Sequence, residues 1–420
     1  MTKTRVIVFD DEKNRREGWT QKLQGLKGLS KLFSFDFASP EEFAAGVAAL
    51  EHRRQLTRAQ SGSRPNDSSA KVFDDADVLV LDYDLFELQN KLSTTGEWVA
   101  YLVRCYSRCG IIVGVNQFVR AGKSSFDLTL RGHPESFADL NIGDADLNNE
   151  GLWMQPKGGF QGFRPWYWPL LSNATDAFEQ RAAELANNLD QPILTYLDLD
   201  RVADLLPRTT VEFIGRGTGT LRDTTFRSFV ENSGNGLRLK DRAIDDGFVA
   251  RIAAARITAW LESLVLPSQD ILVDAPHLVA RYPSLIRGQR SNPSIWNAVA
   301  SLALPQKSKP IAGLNSNKIE ALRFRHQTWI SRPTWYWNQV SESTDIDEVR
   351  DPFKSVPSTD LVFCEDISRF MPRASARDFS ADVAGPFDRR FVVDQDAKMP
   401  KSDKKSLANV DYEPRVRFVL

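Results

Sequence analysis

Residues 5–12 read Arg-Val-Ile-Val-Phe-Asp-Asp-Glu, an apolar run that stops abruptly at two aspartates. A second run, Val-Leu-Val-Leu at 78–81, stops in the same way at Asp82. Short, continuous apolar runs of this kind are typical of strands that are buried on both faces of a parallel sheet. Because the carboxyl ends of adjacent parallel strands open into one crevice, we expect Asp10, Asp11 and Asp82 to lie close together.

Outward from these two runs, the first half of the chain alternates apolar runs with amphipathic stretches, which predicts a doubly wound parallel α/β sheet. Five strands are predicted, at Arg5–Phe9, Phe33–Phe37, Asp77–Leu81, Gly110–Val115 and Leu152–Gln155. The predicted helices are Glu12–Leu26, Pro40–Leu56 with Ser39 as its N-cap, Gly96–Cys105 and Asp176–Leu189. Two polar, turn-rich stretches near 57–71 and 116–150 are expected to be insertions in this domain.

The length of the chain predicts two domains, because 420 residues exceed what one hydrophobic core organises. We place the first at 1–190 and the second at 191–420. The second is expected to be a mixed α+β domain that serves as an output or partner-binding module. Its strongest helical pattern lies at Ala243–Val265, and a charged segment near 394–411 is expected to be mobile.

Composition narrows the classes of partner. The 54 basic and 55 acidic residues nearly cancel, so nucleic-acid binding is allowed but not supported. The sequence has no secretory signal, no apolar run long enough to cross a bilayer, and only three cysteines. These features predict a cytoplasmic protein without a membrane partner.

The three clustered aspartates point to a specific chemistry. Carboxylates that share a crevice repel one another unless a hard divalent cation joins them, and Mg²⁺ prefers oxygen ligands. A carboxylate beside bound Mg²⁺ can also act as a nucleophile towards phosphorus, because the metal neutralises the phosphoryl oxygens.

The run that ends at Asp10 and Asp11, followed by Glu12 and an Arg-containing helix, and the run that ends at Asp82 together resemble the receiver domain of bacterial two-component response regulators. The resemblance implies a five-stranded, flavodoxin-like sheet over roughly 1–190. It implies Mg²⁺ held by the aspartates, and phosphoryl acceptance on Asp82 from a histidine kinase or phosphotransfer protein. Gly96 at the start of a helix also matches. No enzymatic activity beyond this self-phosphorylation is expected.

Two positions depart from the receiver pattern. Asn116 stands where that family has Ser or Thr at the end of the fourth strand. The Lys position after the fifth strand is filled either by Lys157, which directly follows the predicted strand, or by Arg164. Arginine and lysine are not equivalent at a point-charge site.

Two other interpretations stay open at this point. In the first, the receiver-like fold is a scaffold that binds a protein or a nucleic acid, and the acidic pocket is unphosphorylated or vestigial. In the second, Asp82-Tyr-Asp84 is similar to the Asp-x-Asp motif of haloacid-dehalogenase-type phosphatases, in which the first Asp is the nucleophile and the second an acid/base.

Overall fold

The computed structural model divides the chain into two compact units. The first comprises Met1–Asn149 and Trp168–Trp260, and the second comprises Glu150–Tyr167 and Leu261–Leu420. The structure describes residues 3–26, 28–59, 68–85, 94–116, 137–143, 147, 168–215, 220–232, 245–286, 295–296, 299, 314, 316–326, 328–330, 332–344, 346, 361–364, 369–378 and 391–394. Of the segment near 394–411 that the sequence predicts to be mobile, all but residue 394 lies outside these ranges.

The first unit is built on a parallel sheet. Its central strands run in the order β2-β1-β3-β4: β1 (Thr4–Phe9), β2 (Phe33–Phe37), β3 (Val78–Asp82) and β4 (Ile111–Asn116). The stretch Val6 to Phe9 and the whole of β3 are buried, as their apolar composition requires. Because parallel strands need crossover connections, helices lie between them along the chain. The predicted α/β class is confirmed.

A further strand, β5 (Leu140–Gly143), pairs in parallel with β4. It lies inside the stretch 116–150 that the sequence predicts to be an insertion, so that prediction is wrong there. The half-buried residue before it explains the pairing, because Asp139 accepts a hydrogen bond from Ile112 N at 2.7 Å and forms an ion pair with Arg104. The predicted strand Leu152–Gln155 lies outside the described residues.

The helices of the first unit are α1 (Lys13–Gly25), α2 (Leu29–Leu32), α3 (Pro40–Ala59), α4 (Lys71–Asp74), α5 (Gly96–Tyr106), α6 (Trp168–Ala186), α7 (Ile193–Tyr196), α8 (Arg208–Gly215), α9 (Phe226–Asn232) and α10 (Asp246–Trp260). Helices α1, α3 and α5 begin and end within three residues of the predicted positions, whereas α6 begins eight residues earlier than predicted. Ser39 caps α3 as predicted. Its Oγ accepts from Glu42 N at 3.2 Å, and Glu42 Oε2 accepts from Ser39 N at 3.0 Å, which is a capping box.

The predicted insertion near 57–71 is narrower than expected. Helix α3 continues to Ala59, and a 3-10 turn followed by α4 resumes the fold at residue 68. Ala70 and Phe73 are fully buried, and Arg53 Nη2 lies 2.8 Å from Asp74 Oδ2. The ends of the polar stretch therefore pack, and its middle, 60–67, lies outside the described residues.

The first unit extends to Trp260 rather than to the predicted boundary at 190. Helix α10 accounts for the difference, because it packs on α6 and on the end of α5. Arg251 Nη1 lies 2.6 Å from Glu179 Oε2, and Arg251 Nη2 donates to Cys109 O at 3.0 Å. These contacts bridge residues far apart in sequence, which periodicity cannot detect.

The second unit contains helices and short strands. Strands β6 (Leu272–Asp274) and β7 (Thr334–Tyr336) form an antiparallel pair, and α11 (Ala275–Arg281) follows β6 directly. A four-stranded sheet has the order β10-β11-β8-β9, with β8 (Leu361–Cys364), β9 (Arg369–Pro372), β10 (Ala376–Asp378) and β11 (Phe391–Val393). The buried core of the second unit includes the large side chains of Trp296, Trp335 and Tyr282.

Among the helices within the described ranges, none has both the length and the apolar composition that a bilayer crossing needs.

Gly96 is required by a close approach of two backbones, and this gives a test of the fold. A Cβ there would lie 2.5 Å from Tyr83 Cα and 2.7 Å from Asp82 O. We expect Gly96→Ala to lower the free energy of unfolding by about 2–3 kcal/mol in a denaturant titration, because rigid backbone cannot give way. Gly18 in α1 has open space around it, so Gly18→Ala is expected to raise stability by up to about 1 kcal/mol. Equal effects of the two substitutions would contradict the close approach.

Candidate metal centre

The carboxyl ends of β1 and β3 carry the acidic residues. The strands pair in the register Phe9↔Leu81, so the residues that follow, Asp10 and Asp82, stand at the same edge of the sheet. Asp10, Asp11 and Asp82 are all buried, and one carboxylate oxygen of each lies within 4.8 Å of the others. The structure thus brings together the three carboxylates that the sequence places in one crevice; below, these three residues are called the acidic cluster.

The surroundings of Asp10 are set by the first turn of α1. Glu12 N donates to Asp10 Oδ1 at 2.8 Å, and Arg16 Nη1 donates to the Asp10 carbonyl oxygen at 2.5 Å. Arg15 Nε lies 3.3 Å from Asp10 Oδ2 as an ion pair. Even so, this buried oxygen accepts no hydrogen bond of normal geometry within the described part of the chain.

The pKa of Asp10 reports this environment. Burial disfavours the charged carboxylate, and the neighbouring Asp11 and Glu12 add repulsion. The Glu12 N–H and the Arg15 guanidinium act in the opposite direction but do not compensate. As a result, the pKa of Asp10 rises from 3.8 to about 6.

The loop after β3 folds tightly around Asp82. Asp84 N donates to Asp82 Oδ1 at 3.2 Å, and Tyr83 N donates to Val115 O at 3.0 Å. Gly96 N then donates to Tyr83 O at 3.4 Å, which joins the loop to the first residue of α5. The chain therefore holds Asp82 at the sheet edge through its own backbone.

Asn116 is the last residue of β4 and pairs with Gly143 of β5. It stands one residue beyond Val115, the partner of Asp82 in the sheet register. Its backbone thus has the strand-end position that the sequence predicts. The side chain of Asn116 lies outside the described part of the structure.

Lys157 and Arg164 both lie outside the described residues. Lys157 directly follows the predicted fifth strand at 152–155, whereas the strand that pairs with β4 ends at Gly143. The sequence that follows β5 is Asp144-Ala-Asp146, with no lysine or arginine before residue 152. The position immediately after β5 therefore carries acidic residues instead of a cation.

Among the described residues, Arg15 contacts the Asp10 carboxylate, and the sequence patterns do not predict this contact. An arginine-containing helix after the aspartates is visible in the sequence, but two consecutive arginines do not reveal which one faces the carboxylates. In the structure Arg15 contacts the Asp10 carboxylate, whereas Arg16 contacts the Asp10 backbone.

The acidic cluster fits a hard divalent cation. All its donors are oxygen atoms, which Mg²⁺ prefers, and within the described ranges no hydrogen bond uses the lone pairs of Asp10 Oδ2. A cation among three carboxylates would also offset the repulsion that burial strengthens. Asp10, Asp11 and Asp82 are the residues that could hold it.

The second unit contains a different buried polar network. Asp274 ends β6 and caps α11, accepting from His277 N at 3.2 Å and lying 2.6 Å from His277 Nδ1. Gln269 Oε1 accepts from Asp274 N at 2.9 Å, and Arg332 Nη1 lies 3.5 Å from Asp274 Oδ2. Burial disfavours the charged carboxylate, but His277 and Arg332 outweigh it, so the pKa of Asp274 lies below its ordinary value. These mutual contacts fix the start of a helix.

Comparisons of the chain with protein-family models, with curated proteins and with solved structures give no match.

The raised pKa of Asp10 predicts a pH-dependent stability in metal-free buffer. The folded protein binds this proton more tightly than the unfolded chain, so the Asp10 contribution becomes more favourable as pH falls through about 6 towards 4. We therefore expect Asp10→Asn to be more stable than wild type at about pH 8, by at most about 3 kcal/mol, and the gain to shrink by about pH 5. Thermal unfolding in EDTA at both pH values measures this, and a pH-independent difference would contradict it.

The Asp274 network predicts the opposite dependence on pH. A lowered pKa contributes stability above the unfolded value, and this contribution is lost as pH falls through and below that value. We expect Asp274→Asn, which keeps the capping oxygen, to cost about 3 kcal/mol at neutral pH and less below about pH 4. Asp270→Asn is the matched control, because Asp270 is half exposed and lies 3.4 Å from Arg281 Nη2. A similar cost for both variants would show that the buried charge has no special role.

Proposed function

We propose that the first unit is a receiver-like phosphoryl acceptor, with Mg²⁺ held by Asp10, Asp11 and Asp82 and the phosphoryl group accepted on Asp82. The observation that carries this proposal is the convergence of three buried carboxylates at the edge where β1 and β3 end. The strand order β2-β1-β3-β4, with β5 beyond β4, is that of flavodoxin-like sheets and supports the same assignment.

The chemistry is a phosphoryl transfer to a carboxylate. A bond forms between phosphorus and a carboxylate oxygen of Asp82, while the bond from phosphorus to the donor's histidine nitrogen, or to the oxygen of a small acyl phosphate, breaks. Mg²⁺ supplies charge neutralisation for the phosphoryl oxygens when it is bound. The chain itself positions the acceptor: Asp84 N–H donates to Asp82 Oδ1, and the sheet keeps the carboxylate next to Asp10 and Asp11.

On this proposal the protein is a cytoplasmic signalling protein of the response-regulator type. Its donor is a histidine kinase or phosphotransfer protein, and the second unit binds a protein partner whose engagement depends on the state of Asp82. Self-phosphorylation is then the only reaction that the chain performs.

One observation favours the unphosphorylated scaffold as the second candidate. Receivers place a lysine after the fifth strand, and here β5 is followed by Asp144 and Asp146. Without a cation at that position, the charge that develops on a phosphoryl group is less well stabilised. In this alternative the fold binds its partner constitutively, and the acidic cluster does not change state.

The test is phosphorylation of the full chain by acetyl phosphate with Mg²⁺, followed by intact mass. We expect a gain of one phosphoryl group that is absent from Asp82→Asn and in EDTA, because the acceptor oxygen and the cation are both required. Beryllium fluoride with Mg²⁺ is a second probe, read by the intrinsic tryptophan fluorescence, to which Trp19, buried in α1, contributes. Labelling that persists in Asp82→Asn would overturn the assignment of the acceptor.

Asp84→Asn separates the receiver from the phosphatase. Asp84 N–H, which touches Asp82, is a backbone group, so the substitution retains it. The proposal expects Asp84→Asn to be labelled like wild type, with no turnover of p-nitrophenyl phosphate by either protein. Turnover by wild type that is lost in Asp84→Asn would establish the phosphatase, and absence of both labelling and turnover would leave the scaffold.

A further inference from the structure

Arg15 lies between the acidic cluster and solvent. Its Nε is 3.3 Å from Asp10 Oδ2, and its Nη2 is 2.5 Å from Glu12 Oε1. The side chain of Asp10 is fully buried, that of Arg15 is 26% exposed and that of Glu12 is 54% exposed. The guanidinium therefore contacts one buried carboxylate and one exposed carboxylate at the same time.

The contact of Arg15 with Asp10 is electrostatic and not directional. Asp10 Oδ1 accepts from Glu12 N, but Asp10 Oδ2 accepts no hydrogen bond within the described part of the chain, and Arg15 Nε donates none there. Asp10 Oδ2 is also the oxygen of Asp10 best suited to ligate a cation, because its lone pairs are not engaged by a donor.

Arg16, the neighbouring arginine, has a different role. It is buried, donates to the Asp10 carbonyl oxygen at 2.5 Å, and lies over the rings of Phe9 and Phe37. These contacts tie α1 to the sheet. Only Arg15 of the two contacts the carboxylate and has a route into solvent.

We propose that Arg15 sets the divalent-cation affinity of the acidic cluster: its guanidinium occupies Asp10 Oδ2 in the metal-free protein and moves towards Glu12 when a cation binds. This inference rests on the proposed function, since it concerns the same site. A guanidinium and a divalent cation repel each other when they share one carboxylate oxygen. Binding therefore has to displace Arg15, and Glu12 keeps the displaced charge paired.

The test is the affinity of the full chain for Mn²⁺, measured from the electron paramagnetic resonance signal of free Mn²⁺ and by competition with Mg²⁺. Arg15→Gln removes the charge and is expected to lower both dissociation constants about tenfold or more, because the competing cation is gone. Lys13→Gln is the matched control. It makes the same charge change on the same helix turn, but Lys13 is 74% exposed and pairs with Glu17 at 3.8 Å. It is expected to change affinity less than about twofold.

Glu12→Gln provides an independent arm. Without Glu12 the displaced guanidinium loses its exposed partner, so we expect weaker cation binding in the wild-type background and little effect in the Arg15→Gln background. Loss of the same factor in both backgrounds would mean that Glu12 acts through its charge alone, and displacement of Arg15 would be wrong.

The outcomes separate this inference from the proposed function. Equal affinity of wild type and Arg15→Gln, or weaker binding by Arg15→Gln, overturns the role of Arg15 while leaving Mg²⁺ at the acidic cluster. Cation binding by Arg15→Gln but not by wild type supports the role of Arg15. The same result overturns the proposed function, because the wild-type protein could not then carry out a Mg²⁺-dependent reaction. Absence of binding in both proteins overturns both.

Discussion

The repulsion among three buried carboxylates is the constraint to which the first unit responds. Burial of β1 and β3 forces their ends together, and the apolar burial of those strands stabilises the sheet enough to hold Asp10 and Asp82 side by side. Three groups partly offset this repulsion: the N–H of Glu12 and the guanidinium of Arg15 at Asp10, and the N–H of Asp84 at Asp82. None of them removes it, because the pKa of Asp10 still rises to about 6. The edge is therefore suited to gain a cation.

Among the described residues, the positive charge that contacts the Asp10 carboxylate comes from the first turn of α1. A receiver takes it from a lysine after the fifth strand, whereas here Arg15 brings it from the first turn of α1 and acidic residues follow β5. The guanidinium of Arg15 is only five residues from Asp10 in the sequence, and it contacts the Asp10 carboxylate in the metal-free protein. A lysine across the crevice would instead meet the group that is transferred. A positive charge on α1 therefore stabilises the metal-free site, whereas a positive charge after the fifth strand stabilises the phosphorylated site.

Sequence patterns predicted the elements whose burial is continuous. Strands β1 and β3, the convergence of their aspartates and the Ser39 cap follow from apolar runs and local capping rules, which act within a few residues. The missing parts depend on contacts between distant residues. Strand β5 has only two aliphatic residues, so its sequence gives little sign of a strand. Its position beside β4 depends on Asp139, which accepts a hydrogen bond from Ile112 N and forms an ion pair with Arg104. Helix α10 joins the first unit through Arg251, which reaches the carbonyl of Cys109. Side-chain direction on α1, which selects Arg15 over Arg16, is likewise set by packing.

A purely structural role for the aspartates accounts for only part of the arrangement. Asp at a strand end commonly accepts from the backbone N–H two residues on, and Asp10 and Asp82 both do so. Asparagine offers the same oxygen without a charge. A structural turn therefore explains one oxygen in each residue, but it gives no reason to bury Asp11 beside them or to bring three charges within 4.8 Å. A turn does not require these negative charges, whereas binding of a cation does, and the proposal of a cation at the acidic cluster rests on this difference.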